Sequence, residues 1–351
     1  MIENLVREEI KGFKNYEVHS IPYRYKMDAN ETPFKLPEEV IKNIQEIVKY
    51  SQVNVYPDPT AEKLKEELAR YCGVVPTNIF VGNGSDEIIH LIMLAFINKG
   101  DVVAYPHPSF AMYSVYSKIA GAVEIPVKLE EDYTYDVGSF TEVIEKYRPK
   151  LVFLCNPNNP TGSVIERENI MKIIQKSHGI VVVDEAYFEF YGNTIVDAIN
   201  KFENLIVLRT LSKAFGLAGL RVGYAVANEN ILKYLNLVKS PYNINSLSQV
   251  IALKVLRTDV LKERINYILE ERERLIKELG KIPGVKVYPS KTNFILVKFK
   301  DADYVYKGLL ERGILVRDFS KVEGLEGALR ITVSSREAND YLINGLKELL
   351  L

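Results

Sequence analysis

Cysteine is the first scarcity. Cys72 and Cys155 are the only two in 351 residues, too few for a disulfide framework or a thiolate zinc site, so each is expected to be a small buried apolar residue. Histidine is nearly as sparse: His19, His90, His107 and His178 share no metal-ligand spacing, and structural roles are expected for all four, with no metal. Charge of one sign is missing too. The formal net charge is -1 with 26% of residues charged and no long run of either sign, which argues against a general binder of nucleic acid or anionic membranes. No apolar run approaches the roughly 20 residues of a membrane span. The opening MIENLVREEIKGF is acidic and lacks the apolar core of a secretory signal. Cytoplasmic localisation is the expectation. Internal repeats and low-complexity tracts are absent, as are the G-x-G-x-x-G and GxxxxGK[ST] phosphate loops.

What is present is a large core and an alternating pattern. Hydrophobic residues make up 47% of the chain, and this length suggests two domains. Residues 1–35 read as an arm with little periodicity, packing with a smaller domain. Helices are expected from about Pro37 to Tyr50 and from Ala61 to Cys72. Short apolar runs then follow at Ile79–Val81, Val102–Tyr105, Leu151–Leu154, Ile180–Val183, Leu205–Leu208 and Val222–Val226. Helical segments lie between several of them, which predicts an α/β unit over residues 36–243 whose mainly parallel sheet is covered by helices on both faces. Beyond Ser240-Pro241-Tyr242-Asn243 the character changes to a smaller α+β unit, residues 244–351. It should open with one long helix from about Ser246 to Leu279.

Three of the strand-like runs end in reactive groups. Leu151–Leu154 runs into CNPNNPTG, Ile180–Val183 into DEAY, and Leu205–Leu208 into TLSKAFGLAGLRVGY. If these strands are parallel, Asn159, Asp184 and Lys213 leave one sheet edge into one crevice, where ligands of such sheets bind. Alone, Asp184 reads as readily as a helix cap or a structural ion-pair member, and Lys213 as a solvated charge. Their surroundings point elsewhere. Thr210, Ser212 and Arg221, beside glycines 216, 219 and 223, make a good phosphate site. A lysine at such a site, with an aspartate on the next strand, matches what pyridoxal phosphate requires: a Schiff-base amine, and a carboxylate that keeps the pyridine nitrogen protonated. In GNGSDE, the N–H groups of Gly84, Ser85 and Asp86 open a helix and could face an anion, although the same pattern serves a plain strand-to-helix turn.

NPNNPTG, DEAYFEF and SKAFGLAGLRVG, in this order, resemble the fold-type I, aspartate-aminotransferase-like pyridoxal-phosphate enzymes. IPYRYKMDANETPFKLP, VYPDPT, GNGSDEII, PSFAMYSVY, PYNINSLSQ, YPSKTNFILVKF, GILVRDFS and LRITVSSREAN are similar to the histidinol-phosphate aminotransferase family, so the resemblance covers nearly the whole chain. It implies that Lys213 carries the Schiff base and returns as general base and acid, with Asp184 on the pyridine nitrogen. Asn159 and Tyr187 would reach the cofactor's phenolic oxygen, and Phe110 would stack on its ring. Thr210, Ser212, Arg221 and residues Gly84, Ser85 and Asp86 would hold the phosphate, joined by Tyr56 from a second subunit in a homodimer with shared sites. Arg330 corresponds to the carboxylate-binding arginine, and Arg317 and Tyr23 look like the groups for the substrate phosphate, with Asn30 beside them. By itself Arg317 reads equally as a surface charge ending a strand.

Two features depart from the family pattern: Phe110 stands where a tyrosine is common, and NETPFK replaces the frequent NENPFG, at Thr32 and Lys35. The implied reaction is ping-pong exchange between L-histidinol phosphate with 2-oxoglutarate and imidazole-acetol phosphate with L-glutamate. An aromatic or broad-range aminotransferase would keep every cofactor residue, and a threonine-phosphate decarboxylase shares the fold. A regulator that only senses the cofactor would expect a DNA-binding module ahead of the first helix.

Overall fold

Leu151–Cys155, Ile180–Asp184 and Leu205–Thr210 are strands rich in branched apolar residues, buried except for the partly exposed Ile180. Strands covered on both faces have no polar side to alternate with, which is why these read as continuous apolar runs. The computed structural model describes residues 2–11, 13, 21–50 and 53–351, so His19 lies outside the described residues.

In chain order the regular elements begin with β1 (Tyr25–Met27), α1 (Glu38–Tyr50), α2 (Glu62–Cys72), β2 (Ile79–Gly82), α3 (Ser85–Phe96), β3 (Val102–His107), α4 (Met112–Ala120) and β4 (Val123–Lys128). They continue with α5 (Val137–Tyr147), β5 (Leu151–Cys155), α6 (Arg167–Lys176), β6 (Ile180–Asp184), α7 (Phe188–Tyr191), β7 (Leu205–Thr210), β8 (Gly223–Ala227) and α8 (Glu229–Val238). The remainder holds α9 (Ser246–Leu256), α10 (Val260–Leu279), β9 (Lys286–Val287), β10 (Phe294–Lys298), α11 (Ala302–Glu311), β11 (Ile314–Asp318), β12 (Ala328–Thr332) and α12 (Arg336–Leu350).

Seven strands form the larger sheet in the order β2-β8-β7-β6-β5-β3-β4. Only β8 runs against its neighbours; β7, β6, β5, β3 and β4 pair in parallel. The smaller sheet has the order β1-β11-β12-β10-β9, with β1 parallel to β11 and the other pairings antiparallel.

Three sequence expectations change. The arm contains a strand: Tyr25–Met27 pairs with Ile314–Val316 and so joins the smaller sheet. Farther upstream the arm leans on the larger unit instead, where Arg7 donates to the Ile119 carbonyl at 2.8 Å and Lys99 pairs with Glu9 at 2.8 Å. Second, VEIPVK forms β4, which the apolar pattern did not mark. It is an edge strand, where Pro126 need cost no ladder bond. Third, the long helix expected over 246–279 is two helices. Thr258 Oγ1 donates to the Val255 carbonyl at 2.8 Å, giving a backbone acceptor a side-chain partner where α9 stops.

Candidate active site

Because β5, β6 and β7 are adjacent and parallel, their C-terminal ends open on one side of the sheet. β6 delivers Asp184 there, only 4% exposed. Its Oδ2 accepts a hydrogen bond from the Tyr113 hydroxyl at 2.7 Å, and its Oδ1 accepts from the Ala186 N–H at 3.1 Å. Burial pushes its carboxyl up to about 6, against the lowering effect of those two donors.

β7 delivers the lysine turn. Leu211 N–H bonds back to the Val222 carbonyl and Leu217 N–H to the Leu211 carbonyl, which closes the turn around Lys213. The half-buried Lys213 donates from Nζ to the Ala29 carbonyl at 2.9 Å. Burial, reinforced by the positive charge of Arg330, pushes its ammonium down to about 8. A lysine so placed yields a neutral, nucleophilic amine far more readily than a surface one.

The expected phosphate cradle comes together on the β2–α3 side. Gly84 has φ +83, and a Cβ there would lie 2.5 Å from an Arg221 guanidinium nitrogen. At Gly223 a Cβ would lie 2.3 Å from the Ser85 nitrogen. Both positions need glycine for that closeness. Arg221 adopts φ +53 and pairs with Asp86 at 3.1 Å. Thr210 Oγ1 donates to Ser212 Oγ at 3.0 Å and accepts from the Ser212 N–H at 3.1 Å. Two buried hydroxyls, a guanidinium and the first N–H groups of a twelve-residue helix suit a phosphate ester, and an amine and a carboxylate stand at neighbouring strand ends. The donor set fits pyridoxal phosphate.

The arm supplies the other wall. Asn30, 1% exposed with φ +55, donates from Nδ2 to the Tyr187 hydroxyl at 2.8 Å. Arg330 donates to Asn159 Oδ1 at 2.6 Å and also to the Asp28 carbonyl. Residues 28–30 thereby touch Arg330, Lys213 and Tyr187 in succession. Arg317 stands directly opposite Arg330 in the β11–β12 ladder. Like charges at facing positions repel, so such a pair is suited to an anion between or above them. Phe110 packs edge-on against Tyr113, with ring centroids 5.6 Å apart.

Tyr23 and Tyr56 stand apart from these contacts. Tyr23 is 53% exposed ahead of β1, and Tyr56 is 77% exposed with its ring stacked on Tyr242 at 4.4 Å. Sequence reasoning missed Tyr113, because one tyrosine among 22 on an amphipathic helix carries no signal of a carboxylate partner. It also missed the buried pair between Arg209 and Glu185, at 2.8 Å, whose members flank Thr210 and Asp184 in sequence. Charges written beside apolar runs were the available hint.

The family model "Aminotransferase class I and II" matches residues 25–346. A histidinol-phosphate aminotransferase of Thermoanaerobacter sp. (strain X514) is 95% identical over 351 residues, covering all of both chains. That of Caldanaerobacter subterraneus subsp. tengcongensis is 75% identical over 350 residues, again covering all of both. Among solved structures, histidinol-phosphate aminotransferase from Sinorhizobium meliloti in complex with pyridoxal-5'-phosphate is similar with a TM-score of 0.87 and 26% identity, over 94% of this chain and 91% of that one. L-threonine-O-3-phosphate decarboxylase from Porphyromonas gingivalis reaches a TM-score of 0.79 and 27% identity, over 93% and 99%. Fold, strand-end chemistry and full-length identity agree: the chain belongs to the class I and II aminotransferases and, within them, to the histidinol-phosphate aminotransferase family.

Proposed function

We propose that this chain is a pyridoxal-phosphate-dependent transaminase that exchanges the amino group between L-histidinol phosphate and 2-oxoglutarate, giving imidazole-acetol phosphate and L-glutamate. The observation that carries the reading is the full-length 95% identity to a histidinol-phosphate aminotransferase. The site residues agree with it chemically. Pyridoxal phosphate, when bound, supplies an aldehyde carbon for the amine and a pyridinium ring that takes up negative charge.

Lys213 Nζ is the attachment point for that aldehyde. Once displaced by the substrate amine, Nζ would be free to take a proton from the amine-bearing substrate carbon and deliver it to the former aldehyde carbon across the nitrogen, a task suited to an amine depressed to about 8. Asp184 holds the ring N–H, and its negative charge keeps that proton in place. Asn159 and Tyr187 hold the phenolic oxygen, and Phe110 offers its ring face to the pyridine. Thr210, Ser212, Arg221 and the N–H groups of Gly84, Ser85 and Asp86 hold the phosphate, so displacing Lys213 does not release the group.

Substrate anions fall to the arginines. Arg330 takes a carboxylate bidentately, while Arg317 with Tyr23 takes the phosphate of histidinol phosphate, and Asn30 lines the same wall. One site must accept both substrates in turn, and arginine suits either anion. We further propose a homodimer in which the exposed Tyr56 of each copy reaches the other copy's phosphate cradle. Among the described residues no helix is long and apolar enough to cross a membrane, in line with a cytoplasmic setting.

The test is transamination with 2-oxoglutarate as acceptor, comparing histidinol phosphate, phenylalanine, tyrosine and threonine phosphate. The highest kcat/KM is expected for histidinol phosphate. A preference for an aromatic amino acid would replace the substrate reading with a broad-range aminotransferase. Release of carbon dioxide from threonine phosphate would replace it with a decarboxylase.

A further inference from the structure

Tyr113 belongs to none of the groups that hold cofactor or substrate in the proposed function, yet it is the fully buried side chain closest to Asp184 by hydrogen bond. Its ring has no freedom. It lies stacked on Phe153 of β5, with centroids 4.5 Å apart and planes 13° from parallel, and it meets Phe110 edge-on. α4 fixes its backbone, and the Ser117 hydroxyl donates to the Tyr113 carbonyl at 2.7 Å. The packing therefore leaves its hydroxyl at one place, 2.7 Å from Asp184 Oδ2.

A carboxylate has about four acceptor positions. Tyr113 and the Ala186 N–H use one on each oxygen, so acceptor capacity remains for a ring N–H. We propose that Tyr113 is a positioning residue for Asp184: its hydroxyl pins one carboxylate oxygen and sustains the ionised form that must accept the cofactor's ring N–H. The inference rests on the transaminase reading above.

The sign follows from the surroundings. Asp184 is faced by Cys155 from β5, Asp86 from α3, Glu185 just past the end of β6, and Tyr135 and Tyr187 from the adjoining segments; Tyr113 from α4 completes the set. Burial and the neighbouring carboxylates favour the neutral acid, which sits at about 6 even with Tyr113 donating. A donor to the charged form lowers a carboxyl's pKa, so removing it raises that pKa further. Asp184 would then begin to protonate near neutral pH and lose its hold on the ring N–H. Lys213, depressed to about 8, also favours attachment at higher pH, but it titrates alike in both proteins and so cancels from the comparison.

The experiment measures pyridoxal-phosphate affinity of the full chain by titration between pH 5 and pH 8.5, for wild type and Tyr113→Phe. Wild-type affinity should fall as pH drops through about 6. For Tyr113→Phe that midpoint should move up by about one pH unit, with binding weakened about twofold near pH 7, approaching about tenfold below both midpoints at pH 5, and converging with wild type toward pH 8. The cofactor's own phosphate also titrates near pH ~6, equally in both proteins, so the difference between midpoints is the readout. A uniform loss of affinity at every pH, with an unmoved midpoint, would mean that Tyr113 only packs, and would overturn the inference. Coincident curves would overturn it as well. Should Tyr113→Phe fail to fold, a fluorinated tyrosine placed at position 113, a stronger donor, must move the midpoint down; no movement overturns the inference. If wild type binds no pyridoxal phosphate at all, the transaminase reading falls with it.

Discussion

Arg317 and Arg330 face each other across two antiparallel strands, an arrangement that costs stability unless something negative lies nearby. In the folded chain Arg330 bonds to Asn159 and the Asp28 carbonyl, and its guanidinium lies 5.2 Å from the Phe294 ring centroid and 5.6 Å from that of Phe319. Arg317 is less enclosed, at 5.9 Å from the same Phe319 ring. The two are therefore expected to differ as mutants. Arg317→Ala should raise KM for histidinol phosphate by about 10- to 100-fold, the worth of one charge-assisted hydrogen bond, and leave KM for glutamate within a few-fold. Arg330→Lys should raise KM for both substrates, because lysine keeps the charge and loses the planar fork. Steady-state kinetics with each substrate varied in turn separates the two patterns. Equal effects of Arg317→Ala on both substrates would remove it from the phosphate-binding role.

At the scale of elements, β6 and β7 are tied at their C-terminal ends by more than the ladder. Arg209 donates to Glu185 Oε2 through two nitrogens, at 2.8 and 3.0 Å. Its guanidinium also lies 3.7 Å from the Phe188 ring centroid. Glu185 in turn accepts from the Thr194 hydroxyl and the Ile195 N–H, both at 2.8 Å. The carboxylate thus closes the segment from 185 to 195, which carries Tyr187. Both charges are almost wholly buried, so removing one leaves the other without compensation. Glu185→Ala should destabilise the chain by about 3–5 kcal/mol in denaturant unfolding. The double replacement Glu185→Met with Arg209→Met should recover much of that loss, since no buried charge then remains. A double variant no better than the single one would show that the pair adds net stability rather than a specific arrangement.

For the whole molecule, Tyr56 is the outward-facing member of the expected cofactor set: its ring is exposed and stacks on Tyr242. The proposed sharing of sites between two copies makes a direct prediction. Tyr56→Ala and Lys213→Ala should each be impaired alone, the latter by about 10²- to 10⁴-fold for loss of the proton-transferring amine. When the two are unfolded and refolded together in equal amounts, mixed dimers contain one site with both native residues. Activity should recover to about a quarter of wild type under random pairing. Recovery no greater than the sum of the separate variants would place Tyr56 outside the partner's site.

The chain's own order of residues determined the central strands, the helices between them and the strand-end chemistry. Uninterrupted branched runs have one stable fate, and the polar groups that follow them must leave the sheet at its edge. The motifs around Asn159, Asp184 and Lys213 are local, so they are legible without any fold. Long-range pairing decided the rest. Tyr25–Met27 is too short to signal a strand and becomes one only because β11 offers an open edge. Residues 28 and 29 meet Arg330 and Lys213 through their backbone carbonyls, and Asn30 meets Tyr187 through its buried side-chain amide; a carbonyl has no letter in a sequence. The Tyr113 hydroxyl finds Asp184 from 71 residues away because α4, packed against α3 and β4, sends the Tyr113 ring onto Phe153 of β5. Local pattern fixes which groups are presented; only packing decides which of them touch.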